Sequence, residues 1–252
     1  MAIRREEAFV LKRMPLRETS LLVTLFSRGA GKIKVLVKGA RTEKRPIAAQ
    51  FEPFTHLSIV YYEKLKSDTH LVSETAVLNS NSFLRSRLDW FGYASYLVEL
   101  VDVLFGFHDP HPDVYELLGS SLVLFQSASP IHVTRVFEVK LLENAGFLPI
   151  LTHCVLCGET KLKQVFFSPS QGGIVCSSCD RGEPGTIRIS SGTIQSLFFF
   201  IRSRMEQAVK LRLGQQTERE LERIAQKFIQ FRLEYALHSP HFLSEIKSLL
   251  KK

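Results

Sequence analysis

Apolar positions between residues 5 and 78 come in short runs rich in β-branched and aromatic side chains, among them TSLLVTLF and THLSIVYY. SRGAG, between Phe26 and Lys32, is a turn signal of the hairpin type. Four or five short strands in about 75 residues predict a small barrel or sandwich. In the stretch GKIKVLV, alternation places Ile33, Val35 and Val37 on one side, toward a core. Lys32, Lys34, Leu36 and Lys38 fall on the other.

The period changes after the polar cluster Asn79-Ser80-Asn81-Ser82. Leu88, Phe91, Ala94, Leu97, Val98, Val101, Leu104 and Phe105 recur at helical spacing. HDPHP, residues 108–112, separates this helix from the next. Ser129-Pro130 reads as an N-cap followed by proline at the first helical position, and Gly146 as the matching stop. Residues 147–185 lose the helical period and are rich in Cys, Gly, Ser and Pro. Helices then return, with Thr217 and Glu220 in capping-box spacing. Leu221, Ile224, Ala225, Phe228, Phe231 and Tyr235 supply one apolar stripe, read as core. The segments predicted are a barrel domain over 1–80, a helical domain over 81–146 and 186–252, and an inserted cysteine lobe over 147–185. The expected class is multidomain α+β.

Charge sharpens this picture. Residues 1–50 hold 12 Lys+Arg and 4 Asp+Glu, whereas residues 51–252 hold 21 of each. A surplus confined to one end reads as a footprint for a polyanion. Three ammonium groups on the outer side of a Lys32–Lys38 strand, spaced about 6.6 to 7 Å per two-residue step, would suit a phosphate backbone. Arg41, Lys44 and Arg45 follow in a loop, and Arg28 precedes in the turn. A solvated sheet edge is the plainer alternative for these lysines. The segment has no aromatic of its own, so charge rather than base stacking should dominate. Phe26, Phe51, Phe54, Tyr61 and Tyr62 could stack on bases, but core packing is the simpler expectation for each.

The four cysteines form two pairs, Cys154/Cys157 in CVLCG and Cys176/Cys179 in CSSC. Two residues between ligands let both thiolates turn to one ion, and four sulfurs complete the tetrahedron that Zn²⁺ accepts. The start MAIRREEAF has no apolar signal region, and no apolar run approaches the ~20 residues of a membrane span. A cytoplasmic, reducing setting is therefore expected, where such cysteines are metal ligands sooner than disulfides. A four-sulfur site leaves no open position, so one structural zinc is predicted. His153, beside Cys154, is expected to point away. Gly158 suits a tight turn, and Gly172-Gly173 a hairpin that returns the chain to the second pair.

Catalytic signatures are wanting. Gly29-Ala30-Gly31-Lys32 fails as a phosphate loop because Phe26 stands at the first glycine position and Ile33 at the Ser/Thr position. No H-x-E, HExxH or G-x-S-x-G pattern occurs. The chain is read as a non-enzyme. The four-cysteine set also argues against a zinc enzyme.

The order of motifs resembles one family. ETSLL (Glu18–Leu22) and VKGAR (Val37–Arg41) lie in the basic barrel. After the helices come GFLP before the first cysteine pair and FSPSQGGIVC into the second. Together these resemble the bacterial DNA repair and recombination mediator family RecO. The likeness is firmest over residues 5–50 and 137–179. The family's C-terminal end usually carries a basic patch near a Phe-Leu, whereas YALHSPHFL here keeps Phe-Leu without lysine or arginine.

The resemblance implies an N-terminal OB-fold, a helical domain and a zinc lobe held by Cys154, Cys157, Cys176 and Cys179. It implies binding of single- and double-stranded DNA and annealing of complementary strands. With RecR, such a protein would help load RecA onto strands coated by single-strand-binding protein (SSB), as part of the RecF pathway. The expected partners are DNA, RecR, the SSB C-terminal tail and RecF, without membrane, in the nucleoid-associated cytoplasm. Lys38 and Arg41 become the first DNA-contact candidates, then Lys34, Lys44 and Arg45, with Lys32 and Arg28 alongside. A zinc-ribbon factor acting on RNA or in transcription is the competing reading.

Overall fold

The computed structural model describes residues 2–42, 47–64, 67–232, 237, 239 and 243. Compactness divides the chain into two units, residues 1–126 with 237–252, and residues 127–236.

The first unit is built on a closed five-stranded barrel of order β1-β2-β3-β5-β4. Its strands are β1 (Ala2–Leu16), β2 (Ser20–Ser27), β3 (Gly31–Val37), β4 (His56–Glu63) and β5 (Thr69–Asn79). Neighbours are antiparallel except β3 and β5, which run parallel with Leu36 opposite Leu71. This is the Greek-key order of the OB-fold. β1 is long enough to pair with β4 through its first half and β2 through its second, shifting register between Val10 and Lys12. That shift is a bulge, and it bends the strand around the closure.

The alternation in β3 holds. Ile33, Val35 and Val37 join Val10, Val23 and Ile59 in the barrel core. Phe26, Phe51, Phe54 and Tyr61 are likewise fully buried, whereas Tyr62 stays outside. The turn SRGAG closes β2 onto β3, with Gly31 at φ +67°. A Cβ there would lie 2.1 Å from the Asp109 carbonyl oxygen, so only glycine fits.

Asn81, at φ +46°, ends the barrel. α1 (Leu88–Leu104) and α2 (Pro112–Leu124) follow in the same unit. Phe105 packs on Phe26, Phe91 on Phe54 and Tyr115 on Phe9, with ring centroids 5.0 to 6.1 Å apart.

In the second unit α3 (Pro130–Asn144) begins on the predicted proline and stops at Gly146, whose φ is +75°. β6 (Val165–Ser168), β7 (Gly173–Cys176) and β8 (Ile187–Ile189) form a small sheet of order β7-β6-β8. Gly172, at φ +70°, makes the expected hairpin. α4 (Ser191–Arg202), the short α5 (Met205–Ala208) and α6 (Gln215–Arg232) complete the unit.

Two expectations for α6 change. Thr217 lies inside the helix, and Glu220 does not close a capping box. Its buried carboxylate instead accepts from Ser190 N, Ser190 Oγ and Thr193 Oγ1, tying α6 to the start of α4. A buried carboxylate needs strong donors, and a helix N-terminus offers them. Those contacts hold the Glu220 acid below its ordinary range against the opposing effect of burial. Ile229 takes the core place predicted for Phe231, which is 54 % exposed. Tyr235 lies outside the described residues.

Candidate metal centre and nucleic-acid interface

The four cysteines come together. Their Sγ atoms all lie within 4.8 Å of one another, and Cys157 Sγ is 3.8 Å from Cys176 Sγ. A tetrahedron with Zn–S bonds of about 2.3 Å has sulfur–sulfur edges of about 3.8 Å, so the donor set fits such an ion.

The local backbone explains the gathering. Gly158 N donates to the Cys154 carbonyl at 2.8 Å, and Gly158 adopts φ +77°. Asp180 N makes the corresponding bond to the Cys176 carbonyl at 2.9 Å. Two equivalent knuckles thus aim two thiols each at one point. Burial pushes the Cys154 thiol up, but backbone N–H groups of Cys176, Cys157 and Leu156 outweigh it and bring the group to about 6. Neighbouring Cys176 and Cys157 push Cys179 the other way, to about 12. Four crowded sulfurs cannot all ionise unaided, and a dication removes that conflict. His153 is outside the set and pairs with Thr152 Oγ1 at 2.9 Å.

The basic strand is more differentiated than its sequence. Lys34 is half-buried, and Lys38 and Arg41 are exposed. The loop that carries Arg41 is anchored by Arg41 N donating to the Thr19 carbonyl at 3.0 Å. That bond sets Lys38 and Arg41 beside the turn between β1 and β2. In OB-folds this turn and the outer side of β2 and β3 form the usual ligand surface. Arg17 is exposed in the same turn, a cation that sequence reasoning did not single out.

Lys32 departs from the expected outer row. It is 6 % exposed, and its Nζ donates to the Asp102 carbonyl and pairs with Asp102 Oδ1 at 3.3 Å. The reason is the loop after α1. His108 N donates to the Lys32 carbonyl at 2.9 Å, and Phe107 bridges to Lys32 where β3 has no β5 partner. Covering that edge satisfies its backbone groups but covers the lysine too. Arg28 is exposed and pairs with Glu116 at 3.1 Å. Lys44 and Arg45 lie outside the described residues.

The same loop adds an aromatic. Phe107 is 42 % exposed, with Lys34 Nζ 5.1 Å from its ring centroid. Nothing in the local sequence pairs residue 107 with the basic strand. Only the fold of α1 onto the barrel does so.

Two histidines in this unit pack against aromatic rings. His56 stacks on Phe9 at 4.6 Å with Nε2 2.6 Å from Tyr115 Oη. His70 stacks on Tyr61 at 5.2 Å and accepts from Lys64 N. Burial lowers both pKa values from 6.5, opposed by Glu7 and Glu116 at His56 and reinforced by His108 at His70. A depressed histidine contributes stability that is fully present above its unfolded value and lost as pH falls. The melting temperature of the first unit should therefore be level above about pH 6.5 and fall progressively below it. Replacing His70 with Phe should flatten part of that fall, as followed by thermal melts between pH 7.5 and 5. An unchanged profile would contradict the assignment.

An OB barrel with cations along its outer strand, joined to helices and a four-thiol lobe, belongs to the class of barrels that hold nucleic-acid strands. The family model described as Recombination protein O N terminal matches residues 1–81, and Recombination protein O C terminal matches residues 85–241. The chain is 31 % identical to the DNA repair protein RecO of Symbiobacterium thermophilum, covering 98 % of this chain and 99 % of that one. It is 30 % identical to RecO of Syntrophus aciditrophicus, with 98 % of each covered. RecO of Acetivibrio thermocellus is 27 % identical over 91 % of this chain and 92 % of its own. The chain belongs to the RecO family of DNA repair proteins. Among the described residues no helix is long and apolar enough to cross a membrane.

Proposed function

We propose that this protein binds single- and double-stranded DNA and anneals complementary strands. With RecR, and in concert with RecF, it would help load RecA onto SSB-coated strands. It acts by binding rather than by catalysis. The observation that carries the reading is the placement of Lys34, Lys38 and Arg41 at the β3 side of the OB barrel. These cations neutralise phosphates and release counterions, which gives affinity that falls steeply with salt. Phe107, beside Lys34, offers a ring for a base to stack on. Lys44 and Arg45, close to Arg41 in sequence, are further candidate contacts. Arg28 is a weaker contributor because Glu116 already pairs with it. The buried Lys32 fixes the loop after α1 instead of meeting DNA.

Cys154, Cys157, Cys176 and Cys179 would hold one Zn²⁺, which supplies a structural crosslink when bound. Closed four-sulfur coordination suits a staple and leaves no place for a reacting water.

Support for the SSB tail comes from the second unit. A cleft among α3, α4 and α6 has apolar walls that include Leu142, Leu148, Leu197, Ile201, Ile224 and Phe228. Its charged lining residues, Arg135 and Glu138, pair with each other at 2.6 Å. The apolar walls suit the apolar part of such a tail.

The reading separates from an RNA or transcription factor by direct comparison. Single-stranded DNA should bind at least as tightly as RNA of the same sequence, and the protein should comigrate with intact SSB but not with SSB lacking its tail. Preference for RNA with no SSB complex would favour the competing reading.

A further inference from the structure

The balanced charge of residues 51–252 conceals a second basic surface, on α6. By count the helix is almost neutral, with four Lys+Arg and three Glu. The folded unit separates them. Glu218 turns to His132 Nε2 at 2.6 Å, and Glu222 to Arg135 Nη2 at 3.4 Å. Glu220 is buried against α4. Every acid of the helix is thus drawn toward its own unit.

The cations are not. Arg219, Arg223 and Lys227 are exposed, four residues apart, on the side opposite Leu221, Ile224 and Phe228. Among the described residues no ion pair is drawn from any of the three. Their spacing of about 6 Å per step along the helix is on the scale of neighbouring phosphates on one strand. Gln226 and Gln230 flank them, and the exposed ring of Phe231 ends the row. A face of cations and amides with no acid and one terminal aromatic does not suit a membrane or an apolar protein surface. It suits a sugar–phosphate backbone with a stacked base.

We propose that this face of α6 is a second nucleic-acid backbone site, for a strand other than the one held by the barrel. The inference rests on the DNA-binding reading and adds to it. Annealing needs two strands whose phosphates are neutralised together. One basic face on each unit meets that need within a single chain.

The test compares three versions of the full-length, zinc-loaded protein: wild type, the ridge variant Arg219→Gln/Arg223→Gln/Lys227→Gln, and the barrel variant Lys34→Ala/Lys38→Ala/Arg41→Ala. Each is titrated with a short, non-complementary single-stranded DNA, and annealing is followed on complementary strands. The wild type should take up two oligonucleotides per chain, and each variant one. The ridge variant should lose about tenfold in annealing rate, and its summed salt slope should fall by about 2 at about 0.7 per phosphate contact. The exchange Arg219→Lys/Arg223→Lys/Lys227→Arg should restore both readouts, since charge and not shape carries them. A ridge variant that still takes two strands and anneals at the wild-type rate overturns the proposal. So does a wild type that takes one strand, held equally by the ridge variant. A wild type that binds no DNA removes the DNA-binding reading itself. If poly-glutamate binds the barrel variant more tightly than DNA does, and the ridge variant does not bind it so, the ridge is a site for acidic protein, and the proposal falls.

Discussion

Replacing Lys34, Lys38 and Arg41 together with alanine should weaken single-strand binding by about 100-fold at ~0.1 M salt. The figure follows from counterion release. Each phosphate contact on a single strand contributes about 0.7 to the slope of log affinity against log salt, so three lost contacts remove about 2. Affinity and slope must therefore fall together. A loss of affinity with an unchanged slope would mean that packing was damaged instead. Damage is not expected, because Lys38 and Arg41 are exposed and the barrel core is made by Ile33, Val35 and Val37 on the opposite side of β3. Lys32→Ala is the informative contrast. It strips Asp102 of a buried partner and should destabilise the first unit, with little change in salt slope. Titration of a labelled oligonucleotide across a salt series, alongside melting curves, checks both variants.

The second large effect concerns the metal. Structural zinc sites contribute about 10–16 kcal/mol of apparent binding free energy to the folds they close. Around the thiols the lobe has only a small apolar cluster. Its buried cluster consists of Cys154, Cys176 and Val175, with Val155, Leu162 and Cys179 against them. Chelation, or Cys176→Ser, should release one zinc per chain and unfold the lobe. The loss should reach α6 as well, since Phe167 of β6 packs edge-on against Phe228 at 5.5 Å. The barrel, whose core shares none of these residues, should keep its own melting transition. Metal content by elemental analysis and hydrogen exchange resolved by segment would show this. A chain that loses its zinc and keeps full protection over β6 and β7 would contradict a structural role.

Much of this was legible in the sequence where the signal is local. The alternation of Ile33, Val35 and Val37 depends only on strand period, and it located the barrel core. The cysteine knuckles depend on two-residue spacing and a following turn, and Gly158 and Gly172 adopt the positive φ expected of them. What stayed hidden depends on contacts distant in sequence. Lys32 looks identical to Lys34 until Asp102 arrives beside it. Glu220 has capping-box spacing from Thr217, yet Ser190 and Thr193, 30 and 27 residues away, offer it better donors. Phe107 becomes part of the basic face only because its loop covers the free edge of β3. Net charge over a long segment was the least informative quantity. Neutrality over residues 51–252 hides an acidic stretch, residues 51–126 with 4 Lys+Arg and 10 Asp+Glu, and a basic one, residues 127–252 with 17 and 11.

In the function proposed, the protein brings together complementary strands that SSB keeps apart. The measurement that tests it most directly is annealing of complementary single strands coated with cognate SSB, followed by fluorescence with and without the folded, zinc-loaded protein. Acceleration that disappears at high salt and is lost in the Lys34/Lys38/Arg41 variant is the expected result. Unchanged annealing, with zinc bound and both units folded, would contradict it.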